Sequence, residues 1–227
     1  HVIFCLDRAG VAGADGPAHH GAYDLAYMRC IPNMVVSAPM DEVDLRNLMF
    51  TATQNHNGPF SIRYPRGKGS IVDWRQPFEA IGIGKGRKLH AGEDLAILSI
   101  GAIGTQVTKA VPTLQNRGIS AAHYDMRFVK PLDEILLHEV FTKFENVILV
   151  EDGCVVGGFG SAVIEFMVDN GYHARVKRLG LPDQYVEHGT QQELYAENGY
   201  DTGGIVETAA AMMEEKNNRL SNFQTAG

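Results

Sequence analysis

Short apolar runs alternate with segments of helical spacing along most of the chain. The apolar runs have the length of buried strands and predict strands at Val2–Leu6, Met34–Ser37, Phe60–Tyr64, Ile81–Ile83, Leu95–Ile100, Ser120–Tyr124, Val147–Val150 and Arg175–Leu179. Apolar residues at helical spacing predict helices at Ala22–Arg29, Asp41–His56, Thr105–Asn116, Leu132–Phe141, Ser161–Asp169, Gln191–Asn198 and Gly204–Glu215. This alternation predicts an α/β fold with mainly parallel sheets.

The alternation is interrupted once, and this break predicts two domains. Residues 67–92 are rich in glycine and charge and contain no long apolar run. We therefore expect an incomplete α/β layer over 1–80 and a complete, mainly parallel α/β domain over 81–227. The polar tail Lys216–Gly227 is expected to fray. The chain starts with His1 directly before a predicted strand, which is typical of a fragment of a longer protein.

Composition and charge exclude several classes of protein. Of 227 residues, 44% are apolar and 21% charged, as in soluble globular chains. The net charge of −7 disfavours binding to nucleic acid or to an anionic membrane. No apolar run approaches the ~18–20 residues of a membrane span. The widely spaced Cys5, Cys30 and Cys154 are interpreted as buried, unreactive thiols of a reducing compartment.

The first candidate site is the loop Asp7–Gly21, which follows a predicted strand and is punctuated by glycine and proline. Its chemistry-bearing residues include Arg8, Asp15, His19 and His20. Open α/β sheets bind ligands at this end of their strands, and a carboxylate with an imidazole can transfer protons. Two alternatives stay open: a structural loop whose histidines cap the next helix, and a metal site without a third spaced ligand.

The second candidate site is the basic segment RYPRGKG, residues 63–69. Arg63, Arg66 and Lys68 stand together without an acid in a chain that is acidic overall. Arginine suits a bidentate grip on phosphate, and the two glycines let a ligand approach the backbone. The segment is therefore consistent with a site for a small phosphorylated substrate, or with a solvated basic turn.

The third candidate site is the glycine-rich segment Glu151–Ser161. A strand, a glycine-rich loop and a helix suggest dinucleotide binding, but the GxGxxG spacing is absent. A tight turn with close helix packing is the favoured interpretation. The sequence also lacks the P-loop, GxSxG and HExxH motifs, and it lacks a Gly-Asp-Gly followed by Asn-Asn that would anchor a diphosphate through magnesium.

Several long stretches together resemble one family. LDRAGVAGADGPAHHGAYDLAYMRCIPNMVVSAPMDE and SIRYPRGKG are similar to the second half of the pyrimidine-binding domain in the 1-deoxy-D-xylulose-5-phosphate synthase family, whose members are transketolase-like. DLAILSIGAIG, DMRFVKPLDE, VILVEDGCVVGGFGS and LGLPDQYVEHGTQQEL are similar to the C-terminal domain of the same family. The similarity runs in order along essentially the whole chain.

This resemblance implies a thiamine-diphosphate carboligase that condenses pyruvate with glyceraldehyde 3-phosphate and releases CO2. It implies that Arg66 and Arg8 contact the sugar phosphate and that Asp15 and His19 line the active site as catalytic residues. It also implies that thiamine diphosphate and Mg²⁺ are bound outside this chain, which contains no cofactor or metal ligand of the family. The chain alone is then expected to be inactive and to need the missing N-terminal portion of the same protein.

The resemblance further implies a homodimer in the cytoplasm, or in the plastid of a plant or alga. Two alternatives stay open. The first is the β component of a 2-oxoacid dehydrogenase, which shares the domain order. The second is a non-catalytic module built on the same fold.

Overall fold

The protein is described from a computed structural model that covers residues 1–54, 58–69 and 73–225, with side chains described up to residue 216. The strands are β1 (Val2–Leu6), β2 (Val35–Ser37), β3 (Pro59–Arg63), β4 (Arg87–His90), β5 (Leu95–Ile100), β6 (Ala121–Asp125), β7 (Phe128–Lys130), β8 (Asn146–Cys154) and β9 (Arg175–Leu181). The helices are α1 (Asp24–Arg29), α2 (Glu42–Thr53), α3 (Gly104–Asn116), α4 (Glu134–Lys143), α5 (Phe159–Asp169), α6 (Gln191–Glu197) and α7 (Thr202–Thr225).

These elements form two sheets. The first has the order β1-β3-β2-β7, with β1, β2 and β3 parallel and β7 antiparallel to β2. The second has the order β4-β6-β5-β8-β9, parallel except for the antiparallel edge strand β4. The α/β fold with mainly parallel sheets predicted from the alternation is therefore confirmed.

Buried apolar residues join the two sheets into one packed body. Val36 of β2 and Leu98 of β5 belong to the same hydrophobic cluster, together with Phe159 of α5. The opposite face of the second sheet packs against α3, α6 and α7 through a second cluster. The strand β7 lies late in the chain but extends the first sheet, by pairing of Phe128 with Ser37. The sequence analysis did not predict β7, because three residues are too few for a periodic signal.

Side-chain caps set several helix boundaries. Asp41 accepts a hydrogen bond from the amide of Asp44, and Asp133 accepts one from the amide of Leu136, so α2 and α4 begin directly after these residues. Thr190 and Glu193 form a capping box at the start of α6. We predicted that α2 reaches His56, but the helix ends at Thr53. Residues 55 and 56 of that prediction lie outside the described residues.

Four local predictions were wrong. No strand forms at Ile81–Ile83; the strand is Arg87–His90, because Ile81 packs beneath α2 and β3 instead of pairing. The C-terminal tail is helical as far as Thr225. The strand β1 is not buried, since it lies at a sheet edge with Phe4 37% exposed. Cys5 and Cys30 are exposed, and of the three cysteines only Cys154 is buried.

Candidate functional site

The first two candidate segments meet at one end of the first sheet. Strands β1 and β3 are parallel neighbours, with Leu6 in register with Arg63. The loop Asp7–Gly21, which we call the acceptor loop, continues from β1, and the basic segment continues from β3. Carboxyl ends of parallel strands lie at the same sheet edge, so the register alone brings Arg66 towards the acceptor loop.

Asp15 connects the two segments through its carboxylate. Oδ2 of Asp15 lies 2.7 Å from Nη1 of Arg66 and 3.8 Å from Nε of Arg8. Arg8 also contacts Asp7 at 2.7 Å and has a left-handed backbone with φ 58°. Three of the four predicted site residues, Arg8, Asp15 and Arg66, thus share one ion-pair cluster. The side chain of Arg66 is 49% exposed, which leaves guanidinium N–H groups accessible to a ligand.

His19 lies in a short 3-10 turn, Pro17–His19, within the same loop. Its Nδ1 is 3.1 Å from the backbone carbonyl oxygen of Asp15. A carbonyl only accepts hydrogen bonds, so in this contact Nδ1 carries the hydrogen and donates it. This contact is made by the main chain of Asp15, while the carboxylate of Asp15 contacts the two arginines.

His20 has a different environment. Its Nδ1 accepts a hydrogen bond from the amide of Ala12 at 2.9 Å, and its Nε2 lies 3.4 Å from the carbonyl oxygen of Glu187. The suggestion that the histidines of this loop cap the next helix was wrong, since α1 has no side-chain cap at Tyr23. His20 instead connects the acceptor loop to the segment before α6.

Arg63 was grouped with Arg66 and Lys68 in the sequence, but the structure separates it from them. Its side chain is 4% exposed and forms an ion pair of 2.8 Å with Asp24. As the last residue of a parallel strand between two neighbours, it points into the protein. The interpretation of three clustered cations is therefore wrong for Arg63.

A cleft of about 710 Å³ opens beside Arg66, between the basic segment and the starts of α2, α3 and α6. Its cationic lining comprises Arg66, Lys68 and Lys109. Within the described part of the chain, Lys68 and Lys109 form no ion pair. Gln191 and Tyr195 of α6 also line the cleft. The sequence analysis did not identify Lys109, Gln191 or Tyr195, because they lie on regular helices without a motif.

The glycine-rich segment after β8 binds its own carboxylate. Both oxygens of the buried Glu151 accept hydrogen bonds from the first amides of α5, from Phe159 at 2.7 Å and Gly160 at 2.8 Å. Burial raises the pKa of Glu151 to about 7, although these N–H groups act in the opposite direction. A phosphate would need this same helix N-terminus, so the arrangement agrees with a tight structural turn.

The described residues do not fit the diphosphate of thiamine diphosphate or its magnesium ion. No group of three or more His, Cys, Asp or Glu side chains among them could hold a metal ion. The helix N-terminus that follows the glycine-rich segment is occupied by Glu151.

No described helix has the length and apolarity of a membrane span.

Sequence comparisons agree with the resemblance of the motifs. A family model for the transketolase pyrimidine-binding domain matches residues 1–70, and one for the transketolase C-terminal domain matches residues 84–205. A protein of Cytophaga hutchinsonii named 1-deoxy-D-xylulose-5-phosphate synthase is 64% identical over 92% of this chain and 33% of its own length. The protein of the same name from Bacteroides fragilis is 56% identical over 90% of this chain and 32% of its own length. The chain thus spans about a third of these curated relatives.

Two solved structures share the fold. One, titled a split gene transketolase in an inactive beta4 tetramer, superposes with a TM-score of 0.81 at 30% identity, over 92% of this chain and 66% of that chain. Transketolase from Campylobacter jejuni superposes with a TM-score of 0.69 at 16% identity, over 92% of this chain and 31% of that chain, and supports the fold alone. From the two family models and the order of the sheets that they cover, the chain belongs to the transketolase family.

Proposed function

We propose that this chain forms the acceptor-substrate part of a 1-deoxy-D-xylulose-5-phosphate synthase, a transferase. In this reaction pyruvate loses CO2, and its remaining two carbons join the aldehyde carbon of glyceraldehyde 3-phosphate. The observation that carries the proposal is the Arg66–Asp15–Arg8 cluster with His19 beside it. The names of relatives that are 64% and 56% identical support the same reaction.

Arg66 and Arg8 bind the phosphate of the acceptor in this proposal. Asp15 contacts one terminal nitrogen of Arg66 and thereby fixes the plane of the guanidinium. The other N–H groups of Arg66 then form the paired donors that suit a phosphate. The adjoining cleft gives the phosphate a solvent-connected approach past Lys68 and Lys109.

His19 handles the proton at the acceptor oxygen. Its Nδ1–H is engaged by the Asp15 carbonyl, so Nε2 is the atom that meets the substrate. In its protonated form, Nε2 donates to the aldehyde oxygen as that oxygen becomes an alkoxide during carbon–carbon bond formation. Asp15 acts through the positions of Arg66 and His19.

Further parts of the proposal concern the complete enzyme. Thiamine diphosphate with Mg²⁺ is the proposed cofactor, and it would be held by the N-terminal portion of the protein rather than by the residues described here. We also propose two domains divided near residue 80, a homodimer and a cytoplasmic location, or a plastid one in a plant or alga. The related split-gene chain is titled an inactive tetramer, which supports our expectation that this chain alone is inactive.

The test is Arg66→Ala in the complete enzyme, assayed against both substrates. Loss of a charge-assisted phosphate contact should raise KM for glyceraldehyde 3-phosphate roughly 10- to 150-fold and leave KM for pyruvate nearly unchanged. Arg117→Ala is the matched control, because Arg117 is 45% exposed and pairs with Glu207 on a distant surface. Equal effects of Arg66→Ala on both substrates would count against the phosphate role.

A further inference from the structure

Val11 anchors the acceptor loop four residues before Asp15. Its side chain is fully buried in the hydrophobic cluster that contains Leu194 and Tyr195 of α6. Its amide donates to Oδ1 of Asp152 at 3.1 Å, and its carbonyl oxygen accepts from Nε2 of Gln191 at 2.9 Å. Both polar groups of one loop residue are thus bound by side chains that come from β8 and α6.

Asp152 is the centre of this anchor. Its carboxylate is buried and accepts hydrogen bonds from the hydroxyls of Tyr195 at 2.9 Å and Tyr200 at 3.2 Å, besides the amide of Val11. Three donors from three segments therefore converge on one acceptor-only group. Gly10 leaves the space for it, since a Cβ there would lie 2.0 Å from Cγ of Asp152.

The base of the loop is bound to the same residue through Arg63. One terminal nitrogen of Arg63 donates to the carbonyl oxygen of Asp152 at 2.7 Å and to that of Gly21 at 3.2 Å. Gly21 in turn pairs with the amide of Gly10 and the carbonyl of Arg8, both at 2.9 Å. Both ends of the acceptor loop are fixed in this way, and the segment 14–19 with Asp15 and His19 projects from a fixed base.

We propose that Asp152 is a positioning residue of the acceptor site, which holds the acceptor loop from the second sheet so that the carboxylate of Asp15 meets Arg66 and His19 stays beside Asp15. The inference rests on the proposed function, because the groups that it positions are the proposed substrate-binding groups. Asp152 itself is buried beneath the loop, and it reaches the loop through the amide of Val11.

The first test measures hydrogen exchange of individual amides in this chain. Asp152→Asn keeps the volume but weakens the shared acceptor, so exchange at Val11 and its loop neighbours should rise about tenfold. Tyr195→Phe removes one donor and is the second variant, used if Asp152→Asn does not fold. Ser99→Ala is the matched control, because it deletes a buried contact with His123 of 2.8 Å away from the loop.

Unchanged loop exchange in a folded Asp152→Asn or Tyr195→Phe protein would overturn the proposal. So would a rise of the same size at these amides in Ser99→Ala, since that would indicate general loosening. The expected pattern is a rise confined to the acceptor loop and to the start of α6.

The second test uses the complete enzyme. Asp152→Asn should raise KM for glyceraldehyde 3-phosphate about tenfold while KM for pyruvate changes less than about twofold, because only the acceptor groups are displaced. Equal KM values in an active wild type and Asp152→Asn would overturn the positioning role. A wild-type enzyme that performs no condensation would instead overturn the proposed function, and the exchange measurement would still decide whether Asp152 fixes the loop.

Discussion

The acceptor loop and the glycine-rich segment after β8 are built alike but differ in what they leave accessible. Each follows a parallel strand, contains several glycines and leads into a helix. In the segment after β8, the first amides of α5 are bound by the buried Glu151. In the acceptor loop, Asp15 is 29% exposed, and its ion-pair partner Arg66 in the basic segment is half exposed. A glycine-rich loop after a strand is therefore a candidate binding site only where its polar groups are not already bound internally.

The glycines of both loops accommodate neighbouring acids of β8. A Cβ at Gly158 would lie 2.2 Å from a carboxylate oxygen of Glu151, and a Cβ at Gly10 would lie 2.0 Å from Cγ of Asp152. Successive strand residues point to opposite faces of the sheet. Asp152 therefore binds the acceptor loop, and Glu151 binds the first amides of α5. The glycines that resemble ligand-binding glycines in the sequence make room for carboxylates of the protein itself.

The largest expected effect follows from this crowding. Gly10→Ala and Gly158→Ala should each lower the free energy of unfolding by about 3 kcal/mol, because a methyl group would overlap a buried carboxylate. Gly171→Ala is the control, since Gly171 has φ 69° and a Cβ there would meet no atom within 4 Å, and it should cost about 1 kcal/mol for the left-handed backbone alone. Urea unfolding of the three variants measures the difference, and equal losses would show that crowding does not decide it.

The next effect is a loss of turnover that should differ between variants of the adjacent residues His19 and His20. His19→Ala should lower turnover of the complete enzyme about 100-fold with both substrates saturating, the scale of lost acid–base catalysis. His20→Ala should lower turnover less, because His20 binds the Ala12 amide and contacts the Glu187 carbonyl. If His20→Ala gives the larger loss of turnover, the assignment of the proton-transfer role to His19 is wrong.

The smallest expected effect is a pH dependence of the free energy of unfolding, caused by the buried Glu151 of the glycine-rich segment. Burial raises the pKa of Glu151 to about 7 in the folded protein from 4.5 in the unfolded chain. The folded state therefore binds this proton more tightly, and the stability contributed by Glu151 is lost as the pH rises from about 4.5 to 7. The free energy of unfolding of wild type relative to Glu151→Gln should fall by about 2 kcal/mol across this range.

The relative measurement isolates Glu151 from other buried groups. Burial lowers the pKa of His123 to about 3, so this residue makes the free energy of unfolding rise with pH. The contribution of His123 is the same in wild type and Glu151→Gln, and it cancels in the difference between them. Urea titrations at several pH values provide the measurement. A difference that stays constant between pH 4.5 and 7.5 would contradict the raised pKa of Glu151.

Most of the fold was accessible from sequence, because strands and helices with regular apolar spacing carry a local signal. Strands β1 and β5 match their predicted limits, and most helices differ by one or two residues. The strand β7 gave no signal, since its three residues pair with β2 from a distant part of the chain. The exposure of Cys5 was also beyond reach, because it depends on β1 being at the edge of its sheet.

The sequence by itself determined the α/β class, the family resemblance and the candidates Asp15, His19, Arg8 and Arg66, because these depend on residue types and spacing along the chain. Only the tertiary structure decided which polar groups remain accessible. Arg63 and Arg66 are three positions apart, yet one is buried against Asp24 and the other borders a cleft. Glu151 and Asp152 are adjacent, yet they bind different loops. Burial and hydrogen-bond partners come from segments up to 180 positions apart, as for Gln191 and Val11, and no local pattern encodes such a pairing.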